Sequence, residues 1–177
     1  MKNLLLVIDY QYDFVNENGN LTLGENAQKI DGKLAQFIEQ FHTNGGTVCY
    51  TLDTHYSKDW LEHPESKLFP MHCEAGTVGH DLYGKTGRVL RRIAGGIEKT
   101  SYGLNPNEVV SFLADYDTIT LCGVATDICV LQNAILFYNL AGKDVLKLAD
   151  EYCAGTTIEN HNWAVNYMLN TLGMKRV

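Results

Sequence analysis

Short apolar runs recur along the chain, separated by longer stretches in which apolar residues lie three or four positions apart. A continuous apolar run predicts a strand that is buried on both faces, as in a parallel sheet. Helical spacing predicts an amphipathic helix with one face in the core. The predicted strands are residues 4–8, 47–52, 118–122 and 145–148, with the mixed segment 88–93 as a fifth.

Four of the longer stretches are predicted to be helices. The expected core positions are Ala27, Ile30, Leu34, Phe37, Ile38 and Phe41 in the first, and Ile128, Leu131, Ile135 and Tyr138 in the third, over 127–140. The expected boundaries are Asn44-Gly45-Gly46 for the first, Asn105-Pro106 for the second, Gly142 for the third, and the capping pair Thr156 and Glu159 with Gly173 for the last. These residue types are favoured at helix ends.

Strands that alternate with helices predict an α/β fold with a largely parallel sheet, and 177 residues fit one domain over 1–177. In such sheets, ligands bind beyond the carboxyl ends of the strands. That rule directs attention to Asp9, Asp53, the segment before Lys99, and residues 123–129. The irregular segment 53–87 is a candidate functional loop, because it is long and rich in histidine, carboxylate and aromatic side chains.

Composition argues against several classes of function. The net charge is −7, with no basic stripe beyond Arg88, Arg91 and Arg92, so nucleic acid is not an expected partner. No apolar run has the length of a membrane span, and the first run lacks a cleavage site, so we expect a cytoplasmic protein without membrane contact. The five cysteines are odd in number and lack CxxC spacing, which predicts free thiols. Walker, GxGxxG and GxSxG motifs are absent.

Cys129 is the cysteine with the strongest case for reactivity. It follows a strand end and the turn 123–127, and it lies in the first turn of a predicted helix. There the helix dipole and free N–H groups favour a thiolate and can hold an oxyanion. A packing role explains the same position. Cys49 and Cys122 lie inside predicted strands and are expected to be inert core residues.

Asp9 and Lys99 are candidate partners of this cysteine. Asp9 closes an apolar run, where burying a carboxylate without a partner is costly. It is either a general base tuned by burial and a cation, or a cap for a neighbouring loop. Lys99 is a surface residue unless the chain returns to the strand ends at this point.

Histidines and carboxylates of the long loop suggest a metal site. Asp53-x-His55 begins at a strand end, and His72 follows in the same loop. Two histidines and a carboxylate suit Zn²⁺, Fe²⁺ or Mn²⁺ with positions left for water or substrate. The same residue types are common in loops that bind no metal, so spacing alone leaves both interpretations open.

Five segments can be compared with known families, and 123–129 is the most specific of them. They are Asp9-Tyr-Gln-Tyr-Asp-Phe14, Asp53-Thr-His55, His63-Pro-Glu65 through Phe69-Pro-Met-His72, Glu98-Lys99-Thr-Ser-Tyr102 and Gly123-Val-Ala-Thr-Asp-Ile-Cys129. In this order and spacing, over nearly the whole chain, they resemble the isochorismatase-like cysteine hydrolases and, within them, the nicotinamidases.

The resemblance implies a six-stranded, mostly parallel sheet with helices on both faces, in a three-layer doubly wound arrangement. It implies a catalytic triad of Asp9 as base, Lys99 as charge partner and Cys129 as nucleophile. It also implies a cis peptide bond between Val124 and Ala125 and an oxyanion site at the N–H groups of Ala125 and Cys129. The implied reaction converts nicotinamide to nicotinate and ammonia through a thioester, in pyridine nucleotide salvage.

The nicotinamidase branch further implies a divalent metal, zinc before iron or manganese, with the pyridine nitrogen at an open position. The matching ligands are Asp53, His55, Glu65 and His72. Glu62 and His63 compete with Glu65 for the fourth place. Aromatic walls around the ring are implied at Phe14, Phe69 and Tyr102, although many relatives carry Trp at the position of Phe69. Because relatives commonly self-associate, a homo-oligomer is expected.

Two alternatives stay open at this stage. The first keeps the fold and the triad but changes the substrate to another small amide, a ureido compound or isochorismate. Typical isochorismatases lack the Asp-x-His set, so metal content discriminates between them. The second is a non-enzymatic α/β binding scaffold, which predicts that Cys129 is no more reactive than Cys122.

Overall fold

A six-stranded sheet with the order β3-β2-β1-β4-β5-β6 forms the centre of the computed structural model, which describes residues 1–142 and 144–177. Every described strand pairing is parallel. The strands are β1 (Asn3–Ile8), β2 (Thr47–Asp53), β3 (Gly95–Lys99), β4 (Thr118–Val124), β5 (Leu146–Ala154) and β6 (Lys175–Arg176). The predicted α/β sheet is therefore confirmed.

Helices flank this sheet, and short turns complete the connections. The helices are α1 (Tyr12–Val15), α2 (Glu25–Lys29), α3 (Asp31–Thr43), α4 (Ser57–Trp60), α5 (Gly84–Ile93), α6 (Pro106–Asp115), α7 (Leu131–Ala141) and α8 (Ile158–Asn170). Single 3₁₀ turns cover Pro64–Lys67 and Val78–His80. In the described part of the chain, none of the helices has the length and apolar character that a membrane crossing requires.

The strand order reverses its direction between β1 and β4. The chain moves outward from β1 to β2 and β3, then crosses back to β4 and continues outward on the other side. Crossovers between parallel strands are right-handed as a rule, so this strand order puts the helices of the two halves on opposite faces and opens a crevice at the carboxyl ends of the two central strands. Residues 4–8 of β1 are fully buried because strands and helices surround them.

The strand predicted over 88–93 is wrong, because these residues belong to helix α5. Thr86, Val89 and Leu90 are buried with helical spacing, while the neighbouring arginines are exposed. The strand follows as β3, whose first two residues are glycines. Gly96 lies so close to the ring of Tyr50 on β2 that a Cβ would meet the ring at 2.4 Å. Propensity alone does not favour a strand that begins with two glycines.

The stripe predicted for the third helix is confirmed at Leu131, which is buried, and wrong at Tyr138, while Ile128 and Ile135 are half-buried against the core. Residues Thr126–Val130 form a wider, π-type turn, in which Val130 N donates to Ala125 O at 3.1 Å, and α7 begins only after it. The wider turn shifts the phase of the residues that follow. As a result, Ala134 and Phe137 face the core, whereas Tyr138 is half exposed.

Predicted helix boundaries agree with the structure at Asn44, Asn105 and Gly142, and the start of the last helix differs by a residue. Asn105 caps α6 by accepting from Asn107 N at 2.9 Å, as predicted. The capping pair predicted for the last helix is displaced, because Thr157 caps α8 by accepting from Asn160 N at 3.0 Å. The first predicted helix is divided at Ile30 into α2 and α3, and the one-turn helix α1 precedes both.

Candidate active site

Four strand ends meet at the crevice between β1 and β4. Asp9 follows β1, Asp53 ends β2, Lys99 ends β3, and Cys129 lies in the turn after β4. The pairing of β3 with β2 sets Lys99 opposite Asp53, so the chain does return to the strand ends at this lysine. The four places to which the sequence directed attention therefore lie together at the carboxyl edge of the sheet.

Asp9, Lys99 and Cys129 form one buried group, in which no residue is more than 5% exposed. Lys99 Nζ lies 2.7 Å from Asp9 Oδ2 and 3.8 Å from Cys129 Sγ. Thr51 Oγ1 donates to the other carboxylate oxygen of Asp9 at 2.6 Å. Asp9 has a φ of 46°, a left-handed conformation that is uncommon for a residue other than glycine and often marks functional sites.

Burial and charge set the protonation of this group. Burial raises the pKa of Cys129 well above its usual value, and the Lys99 cation only partly opposes that effect. Burial likewise raises the pKa of Asp9 against the same cation. For Lys99 itself, the negative charges of Asp9, Cys129 and Asp53 outweigh burial and raise the pKa. Lys99 therefore stays charged, and the thiol keeps its proton until a base accepts it.

Two backbone features precede the turn that carries Cys129. The peptide bond between Val124 and Ala125 is cis, as the resemblance implied. Just before it, Gly123 has a φ of 110°, and its backbone lies so close to β1 that a Cβ would stand 2.2 Å from Ile8 O. A residue with a Cβ would clash there, so glycine is required where β1 and β4 approach each other this closely.

Asn133 is a residue of the site that sequence reasoning missed. Its side chain is fully buried in α7 and donates to Cys129 O at 2.8 Å and to Tyr102 O at 3.1 Å. Its oxygen accepts from Leu104 N at 3.0 Å. The available signal was a polar residue within an otherwise apolar stretch of helix, four positions after the cysteine.

The side chains of four buried residues converge beside this group. One potential ligand atom from each lies within 4.8 Å of the others, in the cluster Asp53, His55, Glu65 and His72. His55 Nε2 and His72 Nε2 lie 3.0 and 3.2 Å from Asp53 Oδ2. His72 Nε2 is also 3.5 Å from Glu65 Oε2.

This cluster fits a divalent transition metal by its donor chemistry. Two imidazole nitrogens and two carboxylates are ligands that zinc, iron and manganese accept. His72 Nδ1 lies 2.9 Å from Pro70 O, and donation to that carbonyl leaves Nε2 free to bind a metal. Although burial opposes its charged form, hydrogen bonds to Asp53 and Glu65 raise the pKa of His72 to about 9. The site thus has a strong preference for a positive charge, as a proton or as a metal ion.

The alternatives to Glu65 lie outside the cluster. His63 Nε2 is 2.8 Å from Thr100 O, and His63 Nδ1 accepts from Glu65 N at 3.3 Å, so both ring nitrogens are engaged. Glu62 is exposed to solvent. Among the described residues, the carboxylate that reaches the two histidines together with Asp53 is therefore that of Glu65.

A cavity of about 200 Å³ connects the thiol with the metal cluster. The three expected aromatic residues line it, and sequence reasoning missed five of the other ten. The lining residues are Phe14, Leu21, Thr22, Leu23, Asp53, Glu65, Phe69, His72, Tyr102, Ala125, Ile128, Cys129 and Thr156. A larger cleft of about 440 Å³ lies beside α7, but its described lining holds neither cysteine nor histidine.

A parallel α/β sheet with a buried thiol beside a carboxylate and an ammonium group is the arrangement of an α/β cysteine hydrolase. Comparison with known proteins agrees with this class, because a model of the Isochorismatase domain matches residues 3–174. A curated protein of Bacillus subtilis described as an uncharacterized isochorismatase family protein is 35% identical, over 98% of this chain and 97% of that one. The chain belongs to the isochorismatase family.

Solved structures place the chain near one branch of that family. The pyrazinamidase/nicotinamidase of Streptococcus mutans superposes with a TM-score of 0.91 at 35% identity, covering 99% of this chain and 100% of the other. The pyrazinamidase of Pyrococcus horikoshii, solved in complex with zinc, has a TM-score of 0.80 at 25% identity, covering 100% and 99%.

Proposed function

We propose that the protein hydrolyses nicotinamide to nicotinate and ammonia. The observation that carries this proposal is the shared cavity, in which the Cys129 thiol and the cluster that fits a metal line one small, mostly apolar space. A flat ring fits between apolar and aromatic walls, and a carboxamide on it then lies near the sulfur. The similarity to proteins named as nicotinamidases supports this choice of substrate. Ammonia release from nicotinamide tests it.

Asp9 is proposed as the general base. It accepts the proton of the Cys129 thiol as the sulfur attacks the carboxamide carbon, and Lys99, 2.7 Å from Asp9, stabilises the resulting charges. The raised pKa of Asp9 suits this role, because a stronger base accepts a thiol proton more readily. The N–H groups of Ala125 and Cys129 are the proposed oxyanion donors, each worth about 3 kcal/mol in comparable sites.

The second half of the reaction reverses the proton transfer. Asp9 returns the proton to the leaving nitrogen, ammonia departs, and a thioester remains on Cys129. Water then attacks the thioester carbonyl as Asp9 accepts one of its protons. The carbon–sulfur bond breaks, nicotinate leaves, and Asp9 returns this proton to the sulfur. Lys99 remains charged throughout, because the negative groups around it raise its pKa.

Asp53, His55, Glu65 and His72 are the residues that would hold the metal. When bound, the metal supplies a Lewis-acidic position for the ring nitrogen of the substrate. The walls at Phe14, Phe69 and Tyr102 limit the tilt of the ring, which keeps the carboxamide near the sulfur.

The cavity argues against isochorismate as the substrate. Isochorismate carries two carboxylates, which a binding site normally pairs with arginine or lysine. Among the described lining residues, Asp53 and Glu65 are acidic, and neither arginine nor lysine is present. A small neutral amide suits this lining better.

Replacement of His55 tests the metal site. We expect His55→Ala to lose metal and to raise KM by at least about 10-fold, because loss of a ligand should cost no less than loss of a partner that orients one. Metal content per chain, measured by elemental analysis, is the direct readout. His63→Ala is the matched control, since its ring centroid lies 4.8 Å from that of His55 but outside the cluster. Metal content in His55→Ala equal to that of the parent would refute the ligand assignment.

A further inference from the structure

Gln11 is a fully buried side chain with a dense set of hydrogen bonds. Its Nε2 donates to Asp53 O at 2.9 Å and to His80 O at 3.0 Å. Its Oε1 accepts from Asp53 N at 2.8 Å. One amide side chain thus binds both the N–H and the C=O of the same residue.

These bonds replace a missing part of the sheet. The described pairing of β1 with β2 ends at Val7 and Tyr50, and the chain then leaves the sheet at Asp9. On its other side, β2 remains paired with β3, where Thr54 N donates to Lys99 O at 2.8 Å. Gln11 therefore supplies, from its side chain, the donor and acceptor that a continued β1 backbone would offer to Asp53.

Asp53 is the residue through which the two halves of the site touch. Its Oδ1 lies 3.1 Å from Lys99 Nζ, in the group that contains Cys129. Its Oδ2 lies 3.0 and 3.2 Å from the ring nitrogens of His55 and His72, in the metal cluster. Because each oxygen serves a different partner, a small rotation of this carboxylate would weaken both contacts.

We propose that Gln11 is a positioning residue that fixes the backbone of Asp53 and thereby aims its carboxylate at the metal and at Lys99. This inference rests on the metal site of the proposed function. The N–H and the C=O of Asp53 belong to the two peptide units that flank its Cα. A residue whose two flanking peptide units are both held has little freedom to rotate, so its side chain starts from a fixed direction. Partners that orient metal ligands typically change metal affinity by about 10- to 100-fold when they are removed.

A purely structural role for Gln11 predicts a different experimental result from a positioning role. A residue that only fills space and satisfies buried polar groups affects the free energy of unfolding and leaves the zinc affinity of the folded protein unchanged. A positioning residue changes zinc affinity in protein that is still folded. His80 does not weaken this distinction, because its ring binds Thr54 Oγ1 at 2.9 Å and its backbone carbonyl alone meets Gln11.

The experiment measures zinc affinity by competition with a chromophoric chelator, on variants shown by circular dichroism to be folded. Gln11→Glu keeps the shape of the side chain but replaces the donor to Asp53 O and His80 O with a second oxygen. Gln11→Met keeps the approximate size and removes all three bonds, and serves if the glutamate variant does not fold. We expect zinc affinity to fall by about 10- to 100-fold in each.

Asn133→Asp is the matched control. Asn133 is also a fully buried amide with two donor bonds and one acceptor bond, but these hold the backbone near Cys129 and Tyr102. The same amide-to-carboxylate change there is expected to lower turnover and to leave zinc affinity as in the parent. If folded Gln11→Glu or Gln11→Met binds zinc as tightly as the parent, the positioning role is refuted.

The readout also separates this inference from the proposed reaction. A parent protein that binds no zinc would overturn the metal site and the role of Gln11 together. A parent that binds zinc without hydrolysing nicotinamide would contradict the proposed substrate only. Weaker zinc binding by the Gln11 variants would then still support the positioning role.

Discussion

Cys129→Ala is expected to lower kcat for ammonia release from nicotinamide by at least about 10⁴-fold, since loss of a nucleophile removes the covalent route altogether. The substitution removes one sulfur from a buried turn whose backbone is held by Asn133, so we expect the fold to persist. Turnover at saturating nicotinamide, compared with that of the parent, is the measurement.

Cys122→Ala is the control for this prediction. Cys122 is also fully buried, but it lies inside β4, where its sulfur is 4.0 Å from Leu6 O. It should retain the activity of the parent, and thiol reagents should modify Cys129 faster than Cys122. Activity that survives in Cys129→Ala would refute Cys129 as the nucleophile, and equal reactivity of the two thiols would favour a non-enzymatic scaffold.

Asp9→Asn is expected to lower kcat by roughly 10⁴-fold, as replacement of the acidic member of a catalytic triad commonly does. The change keeps the shape of the side chain and its contact with Thr51, but the amide cannot accept the thiol proton. In the parent, activity should fall as the pH drops through the raised pKa of Asp9, because protonation removes the base. A pH–rate profile of both proteins tests this prediction, because the variant should lack the fall in activity at acidic pH that the parent shows.

Asp13→Asn provides the comparison for Asp9. Asp13 is another buried carboxylate, but it accepts from Cys73 N at 2.7 Å and from Asn20 N at 3.0 Å. The Asp13→Asn substitution should lower the free energy of unfolding and leave kcat close to that of the parent. An Asp9→Asn protein with the activity and pH profile of the parent would remove Asp9 from the proposed mechanism.

The sheet and the residues at its carboxyl edge were largely predictable. Leu4–Ile8 is apolar throughout because it lies at the centre of a parallel sheet, and Asp9 is conspicuous as a carboxylate at the end of such a run. Cys129 is marked by its place after β4. The position of Lys99 was harder to predict, because β3 begins with two glycines and is an edge strand.

The errors arose where local spacing gave too little information. The predicted strand over 88–93 is the second half of α5, whose buried positions stand out only when Thr86 is included. The phase of α7 could not be read from the sequence, because the π-type turn at Thr126–Val130 displaces it. In each case a neighbouring segment decided which face is buried.

Contacts between distant segments completed the site. Glu65 and His63 lie two positions apart, and hydrogen bonds of His63 to Thr100 and Glu65 distinguish them in a way that spacing could not. Gln11 and Asn133 are amides whose burial depends on packing against other elements. A single domain over 1–177, a cytoplasmic location and self-association stay predictions from the sequence.

Ammonia release from nicotinamide by the purified protein, before and after chelation and again with zinc restored, tests the central claim most directly. The proposed function predicts release that falls on chelation and returns with the metal. Absence of ammonia from folded, zinc-loaded protein would contradict nicotinamide as the substrate and direct the search to ureido compounds. Release that chelation leaves unchanged, with the metal shown to be removed, would contradict a role for the Asp53–His55–Glu65–His72 cluster in the reaction.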